Sequence, residues 1–392
     1  MRLKLKNFCL LFVLFPLLSG CEGRDKNYEM IVKADGTKEI SKEETISPVL
    51  KNGTEVSILP NEWMEYFNKS IGPTDINNFY IKGKETTAPL DVEIKWLNKN
   101  ETHNYTFLLS NKKDMSNPAE FDVTETSAKV KDLFAGTTYY YQVKAHYEDY
   151  YVLSKRFEFK TVDFIRTLGI GGVTNARDLG NKKNRDGKKR VKQGLVFRSA
   201  NLDEVTTLGK EEAINKYGIK TDLDLRQPND VKTSPLGPEV KYINNGVGSF
   251  GSPFYVSYGE GVNAPDYYPA MRDNLKVFAD KNNLPTIFHC AVGRDRTGSL
   301  AMTLYLLLGV NLDQIKQDFM VSFFSRSCNA MDPEEYATYM ENTLKYFDHY
   351  KSDGLSNKAD IYARVERYCL DIGLSKSDIS AIKNNLLEDI KK

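Results

Sequence analysis

Apolar and polar positions alternate in short runs over the second quarter of the chain. "VEIKW" (92–96), "YTFLLS" (105–110), "TYYYQVKAH" (138–146) and "KRFEFKT" (155–161) are separated by turn-rich polar stretches. A near-twofold period in short segments predicts β-strands, and several of them between turns predict an all-β sandwich over residues 45–162. Beyond 163 the period changes. "GIKTDLDL" (218–225) puts Ile219, Thr221, Leu223 and Leu225 on one face, and "PTIFHC" (285–290) is a short apolar run after a helix predicted around 267–280. "TGSLAMTLYLLLG" (297–309) is apolar nearly all round and closes on glycine, as a buried helix does. "LDQIKQDFMVSFF" (312–324) and "ADIYARVERYCLDIGL" (359–374) predict two further helices. In the last, Ile361, Val365, Tyr368, Cys369 and Ile372 form one stripe, which assigns Cys369 to the core. Alternating strands and helices predict an α/β domain over 163–392, with a central, mostly parallel sheet flanked by helices. "NEWMEYFNKS" (61–70) has no place in this scheme.

The first residues follow another pattern. Arg2, Lys4 and Lys6 precede an apolar run, Phe8 to Leu18, and then Ser19-Gly20-Cys21. Basic, apolar, then small residues is the build of an export signal. A cysteine after Ser-Gly resembles the lipobox of bacterial lipoproteins. The resemblance implies cleavage before Cys21, a lipid on its thiol, and a lipid-anchored protein of the bacterial cell envelope, on a side the sequence leaves open. The alternative is a plain signal peptide with an incidental cysteine. Residues 21–44, polar and charged, read as a tether.

Composition changes little in this picture. The 392 residues are 41% hydrophobic and 27% charged, with a formal net charge of +1. Removing 1–20 would bring that charge to −2, so nothing points to nucleic acid as a partner. Five cysteines in so long a chain do not make a disulfide framework.

The candidate chemistry lies in "HCAVGRDRTG" (289–298). A strand leads into Cys290, and a helix follows from about Thr297. In open α/β sheets ligands bind at the carboxyl ends of strands, and a helix N-terminus favours an anion. Gly293 and Gly298 allow a tight turn with inward amides. Arg296 adds a planar fork for two phosphate oxygens. The loop is therefore a cradle for a phosphoryl dianion, formed by Ala291, Val292, Gly293, Arg294, Asp295 and Arg296. The same field lowers the pKa of the Cys290 thiol and makes it a nucleophile beneath the bound phosphorus.

Cys-x5-Arg followed by Thr297 and preceded by His289 is the signature of the cysteine-based protein tyrosine phosphatase superfamily, which this chain resembles. "NARDLG" (175–180), "FRSANL" (197–202), "DLDLRQPND" (222–230) and "IYARVERYCLDIGLS" (361–375) resemble its bacterial secreted branch, which includes tyrosine, dual-specificity and lipid phosphatases. The resemblance implies a phosphocysteine intermediate on Cys290, later released by water, with no metal and no organic cofactor. Arg296 and the amides would hold the phosphoryl oxygens, Thr297 would support the departing sulfur, and His289 would orient the loop. It also implies Asp295 as general acid, with Asp266 and Asp224 as rivals; a carboxylate that only braces the loop or meets Arg226 is the alternative. Arg177, Asp178, Arg198 and Arg226 read as structural, although Arg226 could touch substrate. A cation at Arg294 would suit phosphoinositides or inositol phosphates, or would reach solvent.

In the β region, "LFAGTTYYYQVKA" (133–145), with Leu133, Tyr139, Tyr141 and Val143, and Trp96 on an early strand, resembles a fibronectin type III module. That resemblance implies that the Tyr139 hydroxyl bonds back to nearby backbone. Two functions follow. One is a phosphomonoesterase acting on phosphotyrosine-like esters, or on lipid or inositol phosphates. The other is a non-catalytic phosphate-binding envelope protein.

Overall fold

The computed structural model describes residues 29–32, 38–41, 45–69, 76, 78–80, 82–100, 102–148, 150–227, 233–245, 267–328, 347 and 360–390. The export segment, Cys21, most of the tether and Asp266 lie outside them.

Among the described residues, the N-terminal half holds eleven strands: β1 (Glu29–Val32), β2 (Lys38–Ser41), β3 (Ile46–Pro48), β4 (Thr54–Val56), β5 (Val92–Asn98), β6 (Tyr105–Ser110), β7 (Ala119–Val123), β8 (Ser127–Val130), β9 (Thr138–His146), β10 (Tyr150–Leu153) and β11 (Phe157–Thr161). β3, β5 and β8 form one antiparallel sheet. The other is centred on β9, which pairs β6 on one side and both β10 and β11 on the other. The twofold alternation decides which faces meet. Ile94 and Trp96 of β5 and Tyr141 and Val143 of β9 are buried, while the residues between them are more exposed. Trp96 stacks on Phe107 at 5.9 Å, and Phe107 meets Tyr141 at 5.4 Å. The Tyr139 hydroxyl accepts from the Phe134 N–H at 2.8 Å, the backbone contact expected of it.

The unplaced stretch is α1 (Asn61–Asn68). It buries Trp63 and Tyr66 against the second half of the chain: Trp63 lies 4.8 Å from Phe324, and Phe67 lies 4.9 Å from Phe164. Burying each such ring contributes roughly 1.5–3 kcal/mol. This explains why the stretch fits no strand pattern. Its apolar residues serve the neighbouring half.

The second half is α/β. Its sheet runs β12 (Arg177–Asp178), β14 (Val196–Ser199), β17 (Thr286–His289), β15 (Thr221–Asp224), β16 (Lys241–Asn244). All neighbours are parallel except β12 with β14. A small antiparallel pair, β13 (Lys189–Val191) and β18 (Leu387–Asp389), ties the C-terminus back. The helices are α2 (Thr207–Glu211), continued by a π turn, α3 (Tyr268–Val277), α4 (Asp295–Leu307), α5 (Leu312–Val321), α6 (Ile361–Asp371) and α7 (Lys376–Leu386). Phe288 and Leu223 face a core that includes α4, whereas Phe197 and Ile287 face a second cluster with Ala213 and Tyr217. Both faces of the sheet are covered, which is why β17 is apolar without alternation. α4 starts at Asp295, two residues earlier than the sequence pattern indicates.

Candidate active site

β17 is central in its sheet. Its last residue, His289, is in register with Ser199 of β14 and Asp224 of β15, so Cys290 emerges at the carboxyl edge between two strand ends. The loop that follows passes directly against β14. Gly293 has φ +73°, and a Cβ there would stand 2.3 Å from the Ser199 carbonyl oxygen. Only glycine fits.

The loop carbonyls are each held from outside. That of Ala291 accepts from the Asn201 N–H at 3.0 Å and from Asn201 Nδ2 at 2.9 Å. That of Val292 accepts from Asn175 Nδ2 at 3.0 Å and from the Cys328 thiol at 3.4 Å. That of Gly293 accepts from Arg198 Nη2 at 2.8 Å. In a trans peptide the carbonyl and the next N–H point opposite ways. Fastening three carbonyls outward therefore turns the N–H groups of Val292, Gly293 and Arg294 inward. Those of Val292 and Gly293 have no hydrogen-bond partner among the described residues. The first turn of α4 adds the positive end of its dipole, and its Thr297 N–H is directed at the Cys290 sulfur. The result is an anion cradle over Cys290.

Electrostatics agree. Burial alone would push the Cys290 thiol up, but Arg296, the Thr297 hydroxyl and the Thr297 N–H outweigh it, and the thiol lies below its ordinary value. The Thr297 hydroxyl is buried and otherwise without a partner among the described residues, so a thiolate is the acceptor it lacks. Arg296 extends one guanidinium nitrogen to 3.4 Å from the Leu225 carbonyl, at the end of the adjacent strand. His289 is fully buried, with Nε2 3.0 Å from Asp222 and Nδ1 3.2 Å from the Cys290 carbonyl. Burial pushes its imidazole down, but Asp222 and Asp224 prevail and the net shift is upward.

Behind the loop lies a buried ionic hub. Asp318 of α5 accepts from Arg198 Nη1 at 2.6 Å and from Arg177 Nε at 3.1 Å, with Lys182 Nζ at 3.6 Å. Arg177 also bonds the Asn175 carbonyl oxygen at 3.1 Å. Arg198 and Arg177 thus brace the loop from one carboxylate, the structural role expected of them. Asp178 caps the Gly180 and Gly194 N–H groups and pairs with Arg166.

Four charged candidates remain: Arg294, Asp295, Asp224 and Arg226. Arg294 does not reach solvent. It is buried, and its guanidinium grips Asp295 at 2.9 and 3.1 Å, with the Phe323 ring 6.0 Å away. Asp295 therefore meets Arg294 and not Arg226, and it is partly exposed on the first turn of α4. Asp224 is buried and bonded to Arg226 and Tyr242. Burial would raise its carboxyl, but Arg226 and His289 hold it below the usual range, so it carries no proton to donate near neutrality. Arg226 bridges Asp224 to Asp203.

Sequence reasoning missed Asp318, Asn175, Asn201, Asp222 and Cys328 as parts of this site. Asp318 carried a faint signal, a lone acid on the apolar side of a helix. The others are ordinary residues in loops and strand ends, and only folding brings them together.

The sequence profile described as "Tyrosine phosphatase family" matches residues 168–388. A Nostoc commune protein named tyrosine-protein phosphatase is 23% identical over 217 residues, covering 48% of this chain and 73% of the relative. A Cupriavidus necator protein named for the same activity is 28% identical over 184 residues, 40% of this chain and 62% of the relative, so the chain spans less than two thirds of that protein. Among solved structures, the Siw14 catalytic core aligns at 19% identity and TM-score 0.28, over 37% of this chain and 78% of that one. The core catalytic domain of the S. cerevisiae PP-IP phosphatase SIW14 aligns at 17% identity and TM-score 0.26, over 39% and 86%.

Proposed function

The chain belongs to the tyrosine phosphatase family and is a phosphatase, and on that premise we propose that it hydrolyses phosphomonoesters through a phosphocysteine at Cys290. The observation that carries this is the outward fastening of the Ala291, Val292 and Gly293 carbonyls, which aims amides at a phosphoryl group above a thiol of lowered pKa.

In the first step the Cys290 thiolate attacks phosphorus. An S–P bond forms, the bond to the leaving oxygen breaks, and Asp295 supplies the proton that oxygen takes up. In the second step water attacks phosphorus, its proton passes to Asp295, and the S–P bond breaks to return the thiolate, which Thr297 stabilises. Arg296 and the inward amides hold the three equatorial oxygens throughout, where charge is greatest in the transition state. We assign the donor role to Asp295 because it is partly exposed on the first turn of α4 and faces Cys290, whereas Asp224 is buried against Arg226.

Phosphotyrosine-like esters are the substrate class best supported. The second cation that a multiply phosphorylated ligand would need is absent from Arg294, whose guanidinium is committed to Asp295. The test is turnover of p-nitrophenyl phosphate by the purified, reduced protein beside Cys290→Ser. Turnover should vanish in the variant. A parent that binds phosphate without turnover would support the non-catalytic alternative.

We also infer a lipoprotein of the cell envelope, anchored through Cys21, whose residues 45–162 form a fibronectin type III-like module ahead of the phosphatase domain, 163–392. The basic-apolar-small N-terminus supports the anchor. The two facing sheets and the Tyr139 hydroxyl contact support the module. Cys21→Ala should move the protein from the membrane fraction to the soluble one.

A further inference from the structure

The loop's supports do not all belong to the phosphatase half. Residues 85–87 precede β5 and lie outside the family-matched 168–388. Thr86 bonds the Phe324 carbonyl through its N–H at 3.1 Å and its hydroxyl at 2.8 Å. Thr87 is buried, and its hydroxyl accepts from the Asn175 N–H at 3.1 Å while donating to a Glu85 carboxylate oxygen. The other Glu85 oxygen accepts from the Ser325 hydroxyl at 2.8 Å and the Arg326 N–H at 3.1 Å.

Glu85 thereby joins two segments that converge on one atom. Asn175 and Cys328 are the two donors to the Val292 carbonyl. Asn175 sits at φ +56°, a conformation that needs support from its surroundings. Its polar groups are all engaged: the N–H by Thr87, the carbonyl and side-chain oxygens by Arg177, and Nδ2 by Val292. Cys328 closes the 325–328 turn through its N–H to the Ser325 carbonyl at 2.9 Å, and Ser325 is the residue Glu85 holds. Chains of this kind polarise one another and act as a unit.

We propose that Glu85 and Thr87 are positioning residues for the catalytic loop: the N-terminal half contributes a strap that holds the Val292–Gly293 peptide with the Gly293 N–H turned toward the phosphoryl site. This rests on the phosphatase reading for its consequence in turnover, but the strap's action on the loop is measurable without turnover. The groups facing the Cys290 sulfur are Arg296, Asp295 and Thr297 of α4, with Cys328 from the 325–328 turn. The strap touches none of the α4 groups, so its effect on the thiol travels through the loop.

The experiment uses the full chain. The pH dependence of Cys290 alkylation by iodoacetamide, localised by mass spectrometry, is measured for the parent, Thr87→Val, Thr87→Ser, Glu85→Gln and Gln193→Ala. Gln193 bridges the two halves elsewhere, through the Ala135 N–H and carbonyl, each at 2.9 Å. Thr87→Val and Glu85→Gln should move the alkylation midpoint up by about half a pH unit, a roughly threefold loss of thiolate on its acid side. Their kcat for p-nitrophenyl phosphate should fall about fivefold with KM little changed, the kinetic equivalent of one hydrogen bond. Thr87→Ser should restore both. Gln193→Ala should lower thermal stability and leave the midpoint alone. Folded Thr87→Val and Glu85→Gln with the parent's midpoint would overturn the proposal, as would an equal shift in Gln193→Ala. Should Thr87→Val not fold, Glu85→Gln decides alone. A parent without turnover would refute the enzyme reading and leave the midpoints to judge the strap.

Discussion

Replacing Asp318 by asparagine removes one negative charge from a site that holds three cations. Arg198, Arg177 and Lys182 approach its oxygens at 2.6, 3.1 and 3.6 Å, and all four side chains are at most 4% exposed. The cluster already carries two positive charges beyond neutrality; asparagine makes it three. Breaking a buried ion pair from one side costs about 3–5 kcal/mol, because the remaining charge stays desolvated. Against a total stability of roughly 5–15 kcal/mol this is a large fraction, and at about 2 °C per kcal/mol it lowers the Tm by roughly 6–10 °C. The pH dependence gives a second readout. Burial would push the Asp318 carboxyl up, but the three cations hold it far below the usual range. A depressed carboxyl contributes its full stability at neutral pH and loses it as acidity carries it from about pH 4 toward its folded value. Asp318→Asn should therefore be destabilised at pH 7 and show a shallower loss between pH 4 and 2. Lys182 is the control. Its ammonium is buried, has no hydrogen-bond partner among the described residues, and is pushed down by burial. Lys182→Met should be neutral or slightly stabilising, and in the double variant should recover about 1–2 kcal/mol. Calorimetry and urea unfolding measure all of this. If Asp318→Asn lies within 1 kcal/mol of the parent at pH 7, or Lys182→Met costs as much as Asp318→Asn, the compensation argument is wrong.

Gly293→Ala should cost at least a hundredfold in kcat/KM, since its Cβ would meet the Ser199 carbonyl and force the amides out of line; phosphate protection against alkylation of Cys290 should weaken in parallel. Asp295→Asn should slow esters with poor leaving groups far more than p-nitrophenyl phosphate; equal losses would take the acid role from Asp295 and leave it to a rival such as Asp266. His289 has a raised pKa through Asp222 and Asp224, so its contribution to stability is complete below about pH 6.5 and declines as pH rises through its folded value. Asp222→Asn should flatten that decline and cost about 1–3 kcal/mol at pH 6, by denaturant titration. Tyr139→Phe, which leaves the Phe134 N–H without its acceptor, should destabilise by about 1 kcal/mol with unchanged kcat.

How much of this was legible beforehand depends on the range over which each cause acts. Strand period, the apolar helix at 295–307 and the loop "HCAVGRDRTG" are local, because a nucleophile, a turn and a helix N-terminus must be consecutive to work. Residue type and spacing alone therefore singled out the loop and its thiol, and the change from β to α/β along the chain. Orientation is not local. Whether amides face inward depends on what holds the carbonyls outside, and those groups come from positions 175, 198, 201 and 328, with the strap at 85–87 behind them. Charge is no more local. Arg294 read as a free cation until folding buried it against Asp295 and Phe323, and Asp318 read as one acid among many until three cations converged on it. Only the tertiary structure decided these, because the burial of a side chain and the partners around it are set in part by segments more than a hundred residues away, as Arg177 and Arg198 are from Asp318.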